Sequence, residues 1–221
     1  MELSEVGRGY PSVASVNLSA IARNLAVLRA ASPTTIQMAV VKANAYGHGL
    51  IPVALASLKA GAQWLGVAQL AEALELRAGL DEAGIARKDA PIFAWISSTG
   101  TDFSTAIEAD IDLSVSWTWV LDEICAAARA LGRPARVHVK IDTGMSRAGS
   151  TLADLPELAQ ALREAQDQGL IEVVGAWSHM SRADDPSPSG EESTRSHVKI
   201  FEEGLRILAQ AGVCPKIRHL A

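Results

Sequence analysis

The sequence of 221 residues holds only two cysteines, Cys125 and Cys214. They lie far apart, neither sits in a C-x-x-C spacing, and no histidine pair stands beside either, so the chain offers no disulfide framework and no cysteine-based metal site. Cys125 shares an apolar helical face with Leu121 and Ile124 and reads as a buried, inert thiol. Long apolar runs are also lacking: none reaches membrane-spanning length, and the opening M-E-L-S-E-V-G-R-G-Y is acidic where a secretory leader is basic. The expected location is the cytoplasm, with no membrane partner. An excess of positive charge is missing too. Twenty Lys and Arg against 25 Asp and Glu give a net charge of −5, which argues against a nucleic-acid partner.

What is present is an alternation of short, β-branched apolar runs with longer stretches that carry apolar residues every three or four positions. That pattern predicts repeated βα units on a parallel sheet. Strands are expected at 37–42, 64–69, 92–97, 111–116, 136–142, 171–179 and from 217 onward, with a loop at 184–190. Helices are expected around Ile21, Leu25 and Leu28 behind a Ser19 cap, and around Leu121, Ile124, Ala128 and Leu131 before Gly132. Two more are expected around Leu155, Leu158 and Leu162 before Gly169, and around Val198, Phe201, Leu205 and Leu208 before Gly212.

Periodicity alone does not separate a closed barrel from an open doubly wound sheet. Two features favour the barrel. No G-x-G-x-x-G follows the first strand, and the fifth strand alternates Arg136, His138, Lys140 and Asp142 with Val137, Val139 and Ile141. An apolar side suits the helix shell, whereas a charged side needs an interior where the charges find partners. The expected fold is α/β, a (β/α)8 barrel of the TIM type, here incomplete at seven strands, forming one domain over residues 1–221 that ends before the last strand.

The strongest local signal is V-V-K-A-N-A-Y-G-H-G, Val40 to Gly49, where Lys42 ends the first strand and glycines follow. Strand C-termini are where barrel enzymes keep reacting groups, a deprotonated lysine adds to aldehydes, and glycines with a helix N-terminus accept a phosphate. Without these neighbours, a lone strand-end lysine reads as a solvated charge. This block resembles the cofactor-lysine motif of the alanine racemase family. K-I-D-T-G-M-S-R-A-G, from Lys140, resembles that family's arginine-bearing loop, G-A-W-S-H-M, from Gly175, its sixth-strand histidine segment, and L-G-V-A-Q-L-A-E-A-L-E-L-R, from Leu65, is also similar.

The resemblance, which runs from about Leu18 to the last residue, implies pyridoxal 5'-phosphate as cofactor and L- and D-alanine as substrates, interconverted through an aldimine to supply D-alanine for peptidoglycan. It implies that Lys42 holds the cofactor and exchanges the α-proton on one face, that Tyr46 bonds the phosphate, and that Arg147 donates to the phenolic oxygen and the substrate carboxylate. Met145 offers backbone to that carboxylate, His179 packs against the ring, and His219 stands beside the partner of the ring nitrogen. In many members the lysine at the place of Lys140 is carbamylated to brace the arginine; the plain alternative is a Lys140–Asp142 pair. A histidine at 179 is equally a structural hydrogen-bonder. His48, His138 and His197 read as rim, interior-polar and helix-surface residues.

The family continues past R-H-L-A with an Asn-Ser pair, a last strand, an arginine facing the pyridine nitrogen and a β-rich domain whose tyrosine is the opposite-face base, supplied by the partner subunit. A homodimer is therefore expected of the full-length protein, and residues 1–221 alone are expected to be inactive or nearly so. Three rival readings are a single-domain pyridoxal-phosphate-binding homeostasis protein without racemase activity, a decarboxylase on the same kind of barrel, and a cofactor-free scaffold with Lys42 and Arg147 as surface charges. The first lacks support in a C-terminal glycine-rich loop, and the D-T-G-M-S-R-A-G block disfavours the second.

Overall fold

The structure, a computed structural model, describes residues 12–33 and 35–221. Helix α1 (Leu18–Ala31) leads into β1 (Met38–Val40), α2 (Leu50–Lys59), β2 (Trp64–Gln69) and α3 (Leu70–Glu82). The chain goes on through β3 (Ile92–Ile96), α4 (Phe103–Glu108), β4 (Ile111–Val115), α5 (Thr118–Leu131) and β5 (Ala135–Lys140). Helix α6 (Leu155–Asp167), β6 (Ile171–Ser178), α7 (Pro188–Gln210) and β7 (Ile217–Leu220) complete it. The seven strands pair in parallel and in chain order, so all seven expected strands exist and the sheet is parallel as expected.

The sheet curls. Side chains from strands that are not neighbours meet inside it: Phe93 of β3 lies 4.6 Å from the His138 ring of β5 and 5.3 Å from the His219 ring of β7. Trp64 of β2 meets the same His138 at 5.3 Å. A flat sheet holds such residues apart, since strands are spaced about 4.8 Å from one another. Strands β1 and β7, the two edges, face each other across a groove lined by Met38 and Trp64 on one side and Ile217 and His219 on the other.

The alternation in β5 is realised as expected. Val137, Val139 and Ile141 are fully buried toward the helix shell, where they join Leu121, Ile124, Leu158 and Leu162, while His138 and Lys140 point into the barrel. Each fully buried Leu or Ile stabilises the shell by roughly 1.5–3 kcal/mol relative to exposure. At the N-terminal end of the strands the buried Asp112 carboxylate takes Arg136 Nε at 2.8 Å and Nη2 at 3.2 Å, so a charge that burial alone makes costly is paired. His138 Nε2 reaches the same carboxylate at 3.1 Å. Gly175 of β6 faces that ring, and a Cβ there would run into it, which is why the position carries no side chain.

Several strand ends differ from the sequence reading by a single residue, and four boundaries differ in ways that bear on the site or on capping. Strand β1 stops at Val40, so Lys42 lies beyond the strand in a turn. Strand β5 stops at Lys140 rather than at Asp142. The cap of α1 is Asn17, whose Oδ1 accepts from the Ala20 N–H at 3.1 Å, not Ser19. The stretch expected as a loop at 184–190 already turns into α7 at Pro188, with Ser187 accepting from the Gly190 N–H. Proline at the first helical position is compatible with a helix because its missing N–H is not needed there.

Candidate functional site

Lys42 opens a turn of unusual handedness. Ala43, Asn44, Ala45 and Tyr46 all have φ between 51° and 54°, a left-handed run that costs roughly 1–2 kcal/mol for each residue carrying a Cβ. Local bonds offset that cost. The Glu72 carboxylate on α3 accepts from the Ala43 N–H at 2.6 Å with Oε1, and from the Ala68 and Gln69 N–H groups, both at 2.9 Å, with Oε2. Asn44 Oδ1 accepts from the Leu50 N–H at 2.7 Å and so caps α2. The turn aims the Lys42 ammonium over the barrel mouth, 5.8 Å from the Tyr46 ring and 5.9 Å from the Trp95 ring.

Lys140, only 6% exposed, stands beneath it with Nζ 4.4 Å from the Trp177 ring. Burial first and the Arg147 charge second push its pKa down to about 8, with Asp142 pulling weakly the other way. The pairing of Lys140 with Asp142 that the sequence left open is absent among the described residues. Asp142 bonds its own loop instead: Oδ1 accepts from the Gly144 and Ser146 N–H groups, both at 3.0 Å. This bond set folds residues 142–149 into a tight arc with φ of 125° at Gly144, 56° at Ser146 and 127° at Gly149, where a Cβ would strike the Asp142 backbone.

The arc returns Arg147 to the mouth. Lys42, Lys140 and Arg147 line one cavity of roughly 270 Å³ at the C-terminal ends of the strands, together with Trp95, Ser114 and Ser116, and among the described residues no carboxylate lines it. A larger hollow of roughly 600 Å³ between α1 and α2 carries a single charge, Lys59, so convergence of charge rather than size marks the site. His179, just past β6, is half-buried, and its pKa is lowered by burial and then by Arg147, Lys140 and Lys42. It is therefore neutral at neutral pH.

The remaining expected residues sit less centrally. Tyr46 is 60% exposed and lines a separate groove with Met38 and His48, with the Lys42 ammonium over its ring at 5.8 Å. Met145 is half-buried in the arginine arc and does not line the cavity. His219 stacks on Trp177 at 5.8 Å inside the barrel, and burial followed by the neighbouring His138 pushes its pKa down to about 3. One proton lies between His138 Nδ1 and His219 Nε2, 2.9 Å apart, which extends the Arg136–Asp112–His138 chain across the interior. His48 bonds Ala45 O at the rim, as expected. Cys125 is buried and its pKa is raised by burial, in keeping with an inert thiol.

His197 corrects the sequence reading. Far from lying on the helix surface, it is 3% exposed and bonded on both ring nitrogens. Its spacing from Phe201, Gly204 and Leu208 places it on the buried stripe of α7, a signal the sequence reading passed over, while its bonding partners, residues 143 and 181, come from elsewhere in the chain.

The sequence profile described as Alanine racemase, N-terminal domain matches residues 16–221. The chain belongs to that family. It is 44% identical over 218 residues to the alanine racemase of Frankia casuarinae, covering 99% of this chain and 54% of that protein. It is 49% identical over 212 residues to the alanine racemase of Beutenbergia cavernae, covering 96% and 53%. Among solved structures, the alanine racemase of D-cycloserine-producing Streptomyces lavendulae superposes with a TM-score of 0.84 at 47% identity, over 92% of this chain and 51% of that one. The chain thus spans about half the length of the curated relatives it matches.

Within this alanine racemase domain, Glu72 is a site residue that the sequence reading missed, although its three-residue spacing from Gln69 is the signal of a capping box. Replacing it by alanine leaves the N–H groups of residues 43, 68 and 69 without acceptors. Glu72→Ala is expected to lower unfolding free energy by about 2–4 kcal/mol in urea titration, with Glu72→Gln losing less than half as much. An unchanged midpoint in Glu72→Ala would show that water replaces the carboxylate without cost.

Proposed function

We propose that residues 1–221 form the N-terminal, pyridoxal-phosphate-binding barrel portion of an amino-acid racemase that interconverts L-alanine and D-alanine, ending before the last barrel strand. The observation that carries the reading is the convergence of Lys42, Lys140 and Arg147 on one cavity that no carboxylate lines among the described residues. The donor set fits the cofactor: the amine of Lys42 suits an aldehyde, three cations suit a phosphate and a phenolic oxygen, and Trp95 supplies a flat wall. When bound, the cofactor supplies an electron-withdrawing ring that stabilises charge left at the substrate's α-carbon.

In this reading Lys42 holds the cofactor and moves the α-proton on one face. Arg147 orients the phenolic oxygen and the substrate carboxylate with its planar fork, Met145 offers backbone to that carboxylate, and Tyr46 bonds the phosphate from the rim. A neutral His179 packs against the ring without adding a fourth positive charge. Asp142 supports Arg147 by shaping its arc, and His219 supports the face of the ring nitrogen from the barrel interior. The proton on the opposite face comes from a tyrosine of a partner subunit, so the intact enzyme is a homodimer, and residues 1–221 alone turn over little. The proposed role is to supply D-alanine for peptidoglycan in the cytoplasm. No described helix is long and apolar enough to cross a bilayer.

Lys140 is proposed to be carbamylated. The ammonium first gives up one proton to solvent; the freed nitrogen lone pair then bonds the carbon of CO2 and a second proton leaves, so a cation facing Arg147 becomes an anion. Only the neutral amine reacts, and a pKa of about 8 in place of 10.5 raises the neutral fraction at pH 7 roughly 300-fold.

Two measurements test the reading. Pyridoxal phosphate added to the chain is expected to produce an absorbance band near the visible edge, and borohydride to fix its mass on the peptide containing Lys42. Lys42→Ala should abolish both; labelling spread over other lysines, or none at 42, sinks the assignment. Under ¹³C-bicarbonate, a carbamate carbon signal is expected to grow as pH rises from 7 to 9 and to vanish in Lys140→Arg. Silence at pH 9 in the unmodified chain would leave Lys140 a bare amine.

A further inference from the structure

The bonds around His197 can be ordered by proton. Ser178 Oγ lies 2.7 Å from the Ile141 carbonyl, which only accepts, so the serine proton points there. Ser178 Oγ, 2.7 Å from Thr143 Oγ1, then accepts the threonine proton. Thr143, its proton spent, accepts at 2.7 Å from His197 Nδ1, which therefore carries hydrogen. In the neutral ring Nε2 is left as an acceptor, and Ser181 meets it with its hydroxyl at 3.0 Å and its N–H at 3.4 Å. Thr143, Ser178 and His197 are each at most 3% exposed, so no bulk water substitutes for a missing partner.

This relay joins the ends of β5 and β6 to the middle of α7, and it grips the arginine arc at Thr143, next to Asp142, which grips the same arc through Gly144 and Ser146. We propose that His197 is a positioning residue: through Thr143 it fixes the arc that presents Arg147 to the cavity shared with Lys42. Asp142 shapes the arc from within, and His197 anchors it to the barrel. The consequence for cofactor capture rests on the function proposed above, whereas the anchoring itself does not.

The anchoring is tested on the cofactor-free chain by amide hydrogen exchange at Gly144 and Ser146. His197→Phe fills the volume but loses the relay, and exchange at these two amides is expected to speed up about tenfold, the equivalent of one lost hydrogen bond of ordinary net strength. Thr143→Val, which cuts the relay with little change of shape, is expected to do the same should the phenylalanine variant fold poorly. His197→Gln carries a donor and an acceptor on one amide and is expected to restore exchange to within about twofold of the parent chain. Unchanged exchange at 144 and 146 in both cutting variants, an equal rise across every strand, or no restoration by glutamine would each overturn the proposal. Capture of pyridoxal phosphate by Lys42, followed by absorbance, is expected to weaken about tenfold in His197→Phe and in Arg147→Ala alike. Failure of the parent chain to capture the cofactor at all would count against the proposed function and leave the exchange result standing.

Discussion

Three positive side chains are held around one small space, and the described residues that line it supply no carboxylate to neutralise them. Such an arrangement is unfavourable for an empty protein, because burial and like charge both disfavour the ionised forms. Burial first and the neighbouring cations second lower the pKa of both Lys140 and His179, the direction such a cost produces. The fold bears it by fixing each cation from behind: Lys42 through a left-handed turn tied to Glu72, Lys140 through a buried strand and the Trp177 face, and Arg147 through an arc bonded to Asp142 and, by way of Thr143, to His197. Backbone strain and converging positive charge meet at the same site, and the charge is of the sign that an anionic ligand would offset.

Below the cavity the barrel interior does different work. Arg136, Asp112, His138 and His219 form one bonded chain in which each buried polar group has a partner. Phe93, Trp64 and Trp177 pack around the two imidazoles. A polar chain set among aromatic rings, with Val174, Met38 and Ile217 packed alongside, stands where barrels of this kind commonly carry layers of aliphatic side chains.

Much of this was legible from residue order. Apolar runs located all seven strands, the alternation along 136–142 told which face of β5 looks inward, and the K-A-N-A-Y-G and D-T-G-M-S-R blocks pointed to Lys42 and Arg147. What stayed hidden depended on partners far away in the chain. His197 lies among Arg195, Ser196 and Lys199, neighbours that read as a solvated helix face although its spacing from Phe201 and Leu208 puts it on the buried stripe, and its bonding partners Thr143 and Ser181 are far from it in the chain. The turn after Lys42 escaped notice because left-handed backbone is normally announced by glycine, and here alanines and an asparagine adopt it. Pro186 and Pro188 suggested a longer loop than exists, since proline breaks helices in their interior yet starts them readily.

The account stands on one geometric statement, that the amine of Lys42 and the guanidinium of Arg147 look into the same hollow. A crystal structure of the chain with pyridoxal phosphate addresses it directly. The account predicts density continuous from Lys42 Nζ into a ring that lies over Trp95, with an Arg147 nitrogen within hydrogen-bonding distance of the ring's oxygen. Density for the ligand elsewhere, or an Arg147 turned to solvent on the far side of the mouth, would contradict it.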